Sequence, residues 1–182
     1  PIQLASDRLR KKFKPKSTSE SEKFEEYIDI ISRQVDDIGR MVDEFSAFAR
    51  MPQPVMELCS LFDLASGQIK LFESKKLQLL LEVDNGKSDY LIFCDAGLVR
   101  QVLTNLLRNA HESLFEHKVK SPEIIMLLEE GDDETTLTIS DNGPGFPDMD
   151  VTQLIEPYVT TRQKGTGLGL AIVSKIMDDH SG

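Results

Sequence analysis

The most regular pattern of apolar positions lies in the N-terminal third of the chain. Between residues 24 and 49, apolar side chains recur in alternating steps of four and three, at Phe24, Ile28, Ile31, Val35, Ile38, Val42, Phe45 and Ala49. This is the a/d repeat of a helix that buries a narrow stripe against other helices. An amphipathic helix on a globular core remains an alternative. The pattern favours a helical hairpin that dimerises into a four-helix bundle, with a predicted helix over residues 1–13 as its other arm.

Two prolines predict the domain boundary. Pro52 and Pro54 follow the long helix at alternate positions, where proline disfavours helix and enforces an extended connection. The sequence therefore predicts a helical hairpin over residues 1–51, a linker at 52–54 and a second domain over 55–182.

Helical and strand-like patterns are interspersed after the boundary. Helices are predicted at residues 63–73, with Asp63 as the cap, at 96–115, with Asp95 as the cap, and at 170–179. Strands are predicted at 77–83, 90–94, 123–129 and 135–140. This mixed order predicts an α/β sandwich with helices on one face of a sheet, and therefore an α+β chain overall.

Composition narrows the possible partners. The net charge of -10 argues against nucleic acid, because the basic footprint of such a partner is lacking. No apolar run reaches the roughly 18 residues that a spanning helix needs, and no secretory signal is visible. The two cysteines, Cys59 and Cys94, have neither metal-ligand spacing nor the arrangement of a disulfide framework. A reduced, cytoplasmic setting is the expectation.

Two glycine clusters carry the candidate chemistry, one at residues 141–145 and the other at 165–169. Clustered glycines often form turns whose bare N–H groups hold a phosphate, and the second cluster leads directly into a predicted helix. Neither cluster is a dinucleotide fingerprint or a P-loop. One such cluster is usually only a turn, but here Asn105 and Asn109 share a helix face upstream.

Four motifs together resemble those of sensor histidine kinases. Asn105–Ala110 resembles the N-box, Asp141–Gly145 the G1 box, Glu156–Arg162 the F-box and lid, and Gly165–Leu170 the G2 box. All four follow in the order of that family, whose ATP-binding domain has the Bergerat (GHKL) fold. Residues 3–13, residues 44–52 and the compact lid are most similar to the nitrogen-regulation, NtrY-like group.

The resemblance implies a role for each candidate residue. Asp141 would be a buried carboxylate that accepts a hydrogen bond from the adenine amine of ATP, and Gly143 and Gly145 would leave room for the purine. Asn109 would bind Mg²⁺, and Asn105 would support the phosphates or the waters of the metal. The phosphates would be held by the lid and the G2 box, that is by Thr161, Arg162, Lys164, Gly165, Thr166, Gly167, Leu168 and Gly169.

Alternatives to these roles stay open at this point. Asp141 could be a turn aspartate that caps Gly143, and the asparagine pair could be a solvated helix face. Arg108 could contribute to the site or face solvent.

Asn105 bears on the type of reaction. Hydrolytic members of the same superfamily carry a glutamate at this position as a general base that activates water, which an amide cannot do. The resemblance therefore implies phosphoryl transfer to a positioned nucleophile, catalysed by Asn105, Asn109 and Arg162. A simple ATPase, or an ATP-binding dimerisation module without transfer activity, are the alternatives.

The acceptor and the partners are also implied by the resemblance. The family phosphorylates a histidine in an H-box on the first hairpin helix, and none of His111, His117 and His180 has that context. The sequence is therefore expected to be truncated at both ends and unable to phosphorylate itself. The expected partners are a second copy of the chain and the receiver domain of a response regulator, with a membrane anchor only through upstream segments.

Overall fold

The computed structural model describes residues 2–12, 18–72, 74, 76–84, 90–132, 134–146, 148–160 and 165–182. The chain divides into two compact units, Pro1–Met51 and Pro52–Gly182. Among the described residues, no helix is both long enough and apolar enough to cross a bilayer.

The first unit is a pair of helices, α1 (Ile2–Lys12) and α2 (Thr18–Ala49). Ile28 of α2 and Ser6 of α1 are each only 3% exposed. Arg10 of α1 forms ion pairs with Glu25, at 3.1 Å, and with Asp29 on α2. Both predicted helices are confirmed. The burial of Ile28 does not continue along α2, where the apolar positions Ile31, Ile38, Val42 and Phe45 are exposed.

The second unit alternates helices and strands. In chain order it contains β1 (Glu57–Ser60), α3 (Leu61–Phe72), β2 (Gln78–Val83), β3 (Leu91–Cys94), α4 (Ala96–Glu116), β4 (Glu123–Glu130), β5 (Thr135–Asp141), the short α5 (Val151–Leu154) and α6 (Gly169–Asp179). The predicted strands and the three long helices are confirmed, and β1 and α5 are additional elements.

The strands form two sheets. In the larger sheet the order is β2-β4-β5, with β2 parallel and β5 antiparallel to β4. β1 pairs antiparallel with β3 in a separate two-stranded sheet. β2 and β3 are consecutive in sequence but therefore belong to different sheets.

The core lies between the three-stranded sheet and two helices. Ala65 of α3 and Leu107, Ala110 and Leu114 of α4 pack with Leu77 and with Ile124 and Met126 of β4. Each of these residues is at most 6% exposed. Helices thus cover a sheet, and the predicted α+β class with an α/β sandwich is confirmed.

The helix caps include one correction. Asp95 caps α4 as predicted, since its Oδ1 accepts the N–H groups of Gly97 and Leu98 at 2.9 and 3.0 Å. The predicted cap at Asp63 is wrong, because α3 already begins at Leu61 and the Ser60 hydroxyl accepts the Asp63 N–H at 3.1 Å. A serine three positions ahead provides the oxygen for that N–H, and Asp63 stands in the first helical turn.

Candidate functional site

Asn105 joins α4 to the beginning of α6. Its side chain is 4% exposed, and its Nδ2 donates to the carbonyl of Gly169 at 3.4 Å. Its Oδ1 accepts a hydrogen bond from Nη2 of Arg108 at 2.8 Å. Both ends of the amide are therefore engaged within the protein, and Arg108 takes part in the arrangement instead of only facing solvent.

Asn109 lies one helical turn further along α4 and is half-buried beside Gly169 of α6. A Cβ atom placed on Gly169 would stand 3.8 and 3.9 Å from its amide nitrogen and oxygen. The lack of a side chain at Gly169 therefore leaves space next to the Asn109 amide.

The first turn of α6 is suited to an anion. Its N-cap residue, Leu168, makes no side-chain capping hydrogen bond in the described structure. The first N–H groups of an α-helix have no partner within the helix, and together with the helix dipole they favour negative charge. Because Gly169 begins this helix, the anion-favouring end lies beside the two asparagines of α4.

The Asp141–Gly145 turn follows β5 and lies against the second half of α4. Oδ1 of Asp141 accepts the N–H of Gly143 at 2.8 Å. A Cβ on Gly143 would stand 2.6 Å from that oxygen, 3.4 Å from Oγ of Ser113 and 3.5 Å from Cδ2 of Leu114. A side chain at Gly143 would therefore require the Asp141 carboxylate to move.

The expectation that Asp141 is buried is wrong, because its side chain is exposed at the end of β5. Its contact with Gly143 is the one that the turn interpretation predicted. Asn142, which the sequence reasoning did not single out, fixes the turn to the start of β4. Its side chain accepts the Glu123 N–H at 2.9 Å and donates to the Ser121 carbonyl at 2.8 Å.

Gly145 and Gly167 are the two glycines of the motifs with left-handed backbone, with φ values of +81° and +69°. No atom lies within 4 Å of a Cβ placed on Gly145, so the surroundings there are open. On Gly167, in contrast, a Cβ would stand 2.5 Å from the carbonyl carbon of Tyr158. The Tyr158 N–H also donates to the Gly167 carbonyl at 3.0 Å.

The G2 segment is thus packed directly on the F-box backbone. Tyr158 is a non-glycine residue with a φ of +70°, a strained conformation that sequence motifs did not reveal. Gly165 and Thr166 are half-buried, and the Thr166 hydroxyl accepts the N–H of the buried Leu168 at 3.3 Å. The predicted lid residues Thr161, Arg162 and Lys164 lie outside the described residues.

Asp95 holds the beginning of α4 in place. Besides capping the helix through Oδ1, its Oδ2 accepts the N–H of Val55 at 2.9 Å. The hydrogen bonds from the backbone of Val55 and then Leu98 hold the pKa of this carboxyl below its ordinary value. The start of the helix that carries both asparagines is therefore tied to the segment that follows the linker.

The comparisons with known proteins agree with the motifs. Residues 94–182 match the family of histidine kinase-, DNA gyrase B-, and HSP90-like ATPases. Nitrogen regulation protein NtrY of Azorhizobium caulinodans is 41% identical to this chain over the whole of it. The chain belongs to the sensor histidine kinases. An NtrY-like protein of Rickettsia felis is 38% identical over the same extent, which confirms the resemblance to the NtrY-like group.

This sensor histidine kinase sequence spans 24% of the length of NtrY and 30% of the Rickettsia protein. Among solved structures, the catalytic domain of histidine kinase ThkA is similar, with a TM-score of 0.61 and 28% identity over 69% of this chain and 82% of that one. ThkA in complex with response regulator protein TrrA gives a TM-score of 0.72 and 25% identity, over 100% of this chain and 50% of that one.

Proposed function

We propose that this chain is the ATP-binding and dimerisation core of a two-component sensor histidine kinase. Residues 1–51 are its dimerisation hairpin, 52–54 a linker and 55–182 its catalytic domain. The domain binds Mg-ATP, and the γ-phosphoryl group passes to a histidine and then to an aspartate of a response regulator. The observation that carries this proposal is the position of Asn105 and Asn109 of α4 beside the start of α6.

The residues present fit a magnesium nucleotide. An amide oxygen is a suitable ligand for Mg²⁺, which usually takes few protein ligands beside substrate phosphates and water. Among the described residues, no group of three or more His, Cys, Asp or Glu side chains is placed to hold a metal alone. From the resemblance of the N-box, we assign the metal to Asn109 together with the phosphates. When bound, the metal would supply positive charge next to the transferred group.

The remaining contacts with the nucleotide follow the order of the motifs. Asp141 accepts a hydrogen bond from the adenine amine, and Gly143 and Gly145 leave room for the base. The N-terminal turn of α6 and the G2 residues Gly165, Thr166, Gly167, Leu168 and Gly169 hold the phosphates. In the lid, the Thr161 hydroxyl donates to the phosphates and the cations Arg162 and Lys164 neutralise their charge, with Arg162 acting in the transfer step itself.

Asn105 supports transfer over hydrolysis. A hydrolytic site needs a group that takes a proton from water, and a neutral amide does not do this. The amide is also engaged with Gly169 and Arg108. We propose that Asn105 positions α6 against α4. This contact keeps the phosphate site at the start of α6 next to Asn109.

None of the three histidines of this chain has the H-box context of an acceptor, and each has contacts of its own. The ring of His111 stacks on Phe115 with centroids 4.4 Å apart. Nδ1 of His117 contacts the Ser113 carbonyl at 2.9 Å, and both ring nitrogens of His180 have partners. We therefore propose that the phosphorylated histidine lies outside these 182 residues, and that this sequence alone does not become labelled.

The wider assignment rests on the relatives. ThkA is described in complex with a response regulator, and we propose a receiver domain as the partner of this chain too. The similarity to NtrY supports a role in nitrogen regulation. We place the chain in the cytoplasmic portion of a membrane-anchored bacterial sensor.

The test is incubation with γ-labelled Mg-ATP of this chain and of a longer protein that includes an upstream H-box. We expect acid-labile, base-stable label on the longer protein only. Steady release of free phosphate by both, without labelled protein, would show an ATPase. If both proteins bound Mg-ATP and neither became labelled, the chain would be a nucleotide-binding dimerisation module without transfer activity.

A pair of variants tests the adenine assignment separately. Asp141→Asn should weaken Mg-ATP binding by at least about tenfold, because an acceptor that pairs with the adenine amine is replaced by a group that can present a donor. Asp132→Asn makes the same chemical change in the exposed turn after β4 and should bind as the wild type does. Equal affinity of the two variants, measured by calorimetry, would exclude Asp141 from the adenine site.

A further inference from the structure

His180 connects the end of α6 to the beginning of α4. The backbone N–H of Asp95 donates to Nε2 of His180 at 3.0 Å. Nδ1 of the same ring lies 2.7 Å from the Ile176 carbonyl, one turn back along α6. Because Nε2 accepts a hydrogen bond, the ring proton resides on Nδ1 and is donated to Ile176. Both nitrogens of a neutral imidazole are thereby used, one within α6 and one between the helices.

Asp95 is a shared anchor. Its backbone N–H binds His180, its Oδ1 caps α4, and its Oδ2 accepts the N–H of Val55. One residue therefore fixes the start of α4, the end of α6 and the segment after the linker.

The other end of α6 is held by Asn105. Asp95 and Asn105 are ten residues apart along the chain, and their partners His180 and Gly169 are eleven apart. At 1.5 Å per residue these spacings both correspond to about 15 Å of helix. The two helices are therefore antiparallel and joined by hydrogen bonds at two matched positions. These two bonds add to the burial of Ala171, Ile172 and Ile176 of α6, and they fix the tilt of the helix at both of its ends.

We propose that His180 is a positioning residue for the nucleotide site, an inference that rests on the proposed function. By holding the far end of α6 to Asp95, it keeps Gly169 and the anion-favouring first turn opposite Asn109. Without this bond α6 tilts about the contact between Asn105 and Gly169, which turns the N–H groups of its first turn away from Asn109. His180 acts through α6 and does not contact the nucleotide.

His117 provides a closely matched control. Both histidines stand at the C-cap of a helix, and each places Nδ1 against a carbonyl four residues back. The hydrogen bond of Nδ1 of His117 remains within α4, and its side chain is exposed. A comparison of the two alanine variants therefore isolates the bond between the helices from the local cap.

The experiment measures the affinity of the protein for Mg-ATP by calorimetry in four forms: wild type, His180→Ala, His180→Gln and His117→Ala. His180→Ala should bind about three- to tenfold more weakly, the loss expected for one hydrogen bond of ordinary net strength. His180→Gln offers an amide oxygen to the Asp95 N–H and should return the affinity to within about twofold of the wild type. His117→Ala should leave the affinity unchanged.

The results distinguish a failure of the positioning role of His180 from a failure of the proposed function. Circular dichroism and thermal unfolding first establish that every form is folded at the temperature of the titration. Wild-type binding with an unchanged His180→Ala variant, or with His180→Gln as weak as His180→Ala, would overturn the positioning role alone. Failure of the folded wild type to bind Mg-ATP would overturn the proposed function. Long-range proton–nitrogen NMR of the His180 ring reads the tautomer directly, and a proton on Nε2 would contradict the bond to Asp95.

Discussion

Cys94 shows how a single side chain is shielded by its surroundings. It ends β3 with 2% of its surface exposed and packs with Leu64 of α3 and Leu103 of α4. Burial, followed by the neighbouring thiol of Cys59, raises the pKa of Cys94 to about 12. The thiolate is the reactive form, so Cys94 should be inert towards alkylating reagents while the half-exposed Cys59 reacts.

This prediction is tested by limited alkylation with iodoacetamide at a pH of about 8, followed by mass spectrometry of the two cysteine peptides. Cys59 should be labelled first in the folded protein, and both cysteines at similar rates in denaturant. Equal rates in the folded protein would contradict the shielding of Cys94.

The raised pKa of Cys94 also makes the stability of the protein depend on pH. The folded state holds the thiol proton more tightly than the unfolded state does. The contribution of this thiol to the free energy of unfolding is therefore present below the ordinary pKa of 9.0 and is lost as the pH rises towards 12.

Asn105 and Asn109 show which part of a site the sequence can predict. Their spacing places both on one face of α4, and the structure brings both to the start of α6. The sequence does not tell that Gly169 and Arg108 would engage the Asn105 amide, because those contacts depend on how α6 packs. The family resemblance implied a buried Asp141, but its exposure depends on which elements cover the end of β5.

At the scale of elements, Gly167 fixes the G2 segment to the F-box. A side chain there would combine a left-handed backbone with a 2.5 Å approach to the Tyr158 carbonyl carbon. Backbone atoms cannot yield as a flexible side chain does. Gly167→Ala should therefore reduce the free energy of unfolding by at least about 2 kcal/mol and weaken nucleotide binding.

Gly67→Ala is the matched control for this change. Gly67 is exposed within α3, and nothing lies within 4 Å of the position of an added Cβ. Alanine should stabilise this helix by about 0.5–1 kcal/mol, because glycine has the larger conformational entropy in the unfolded chain. Urea unfolding of both variants compares them directly. A Gly167→Ala variant as stable as Gly67→Ala would show that the Tyr158 backbone moves at little cost.

The elements themselves were largely predictable, because periodicity and capping are local. Asp95 as a cap predicted α4, and the strand patterns at residues 123–129 and 135–140 predicted β4 and β5. β1 was missed because four residues are too few for a clear alternation. The pairing of β2 with β4, and not with β3, is a long-range property that neighbouring residues do not encode.

At the scale of the whole molecule, the order of the motifs predicts the candidate site better than any single motif does. Residues of α4, the turn after β5 and the start of α6 are separated by dozens of positions in the sequence, yet Ser113 and Leu114 border Gly143 while Asn105 and Asn109 border Gly169. The packing of α6 and of the turn after β5 on the same helix, α4, produces this convergence. The His180–Asp95 bond belongs to the same packing, and no pattern along the chain indicates it.

The first unit leads to a prediction about assembly. Phe24 and Val35 on the heptad stripe of α2 are half-buried and Ile28 is buried, but Ile31 is 42% and Ile38 58% exposed within one chain. A stripe of this kind is stable when other helices cover it. We expect a second copy of the hairpin to do so. Changing Ile31 and Ile38 to Asp should therefore give monomers, since four carboxylates would enter the centre of the dimer.

Ile30 separates this explanation from a general effect of surface charge. It neighbours Ile31, is equally exposed at 41%, and lies off the heptad stripe. Ile30→Asp should leave the mass from light scattering at that of a dimer, whereas Ile31→Asp with Ile38→Asp should halve it. If both proteins were monomers, or both dimers, the heptad stripe would not be the interface. Nucleotide binding by the monomeric variant would further show that residues 52–182 hold Mg-ATP without the bundle, as the contacts of α4 with α6 within that unit lead us to expect.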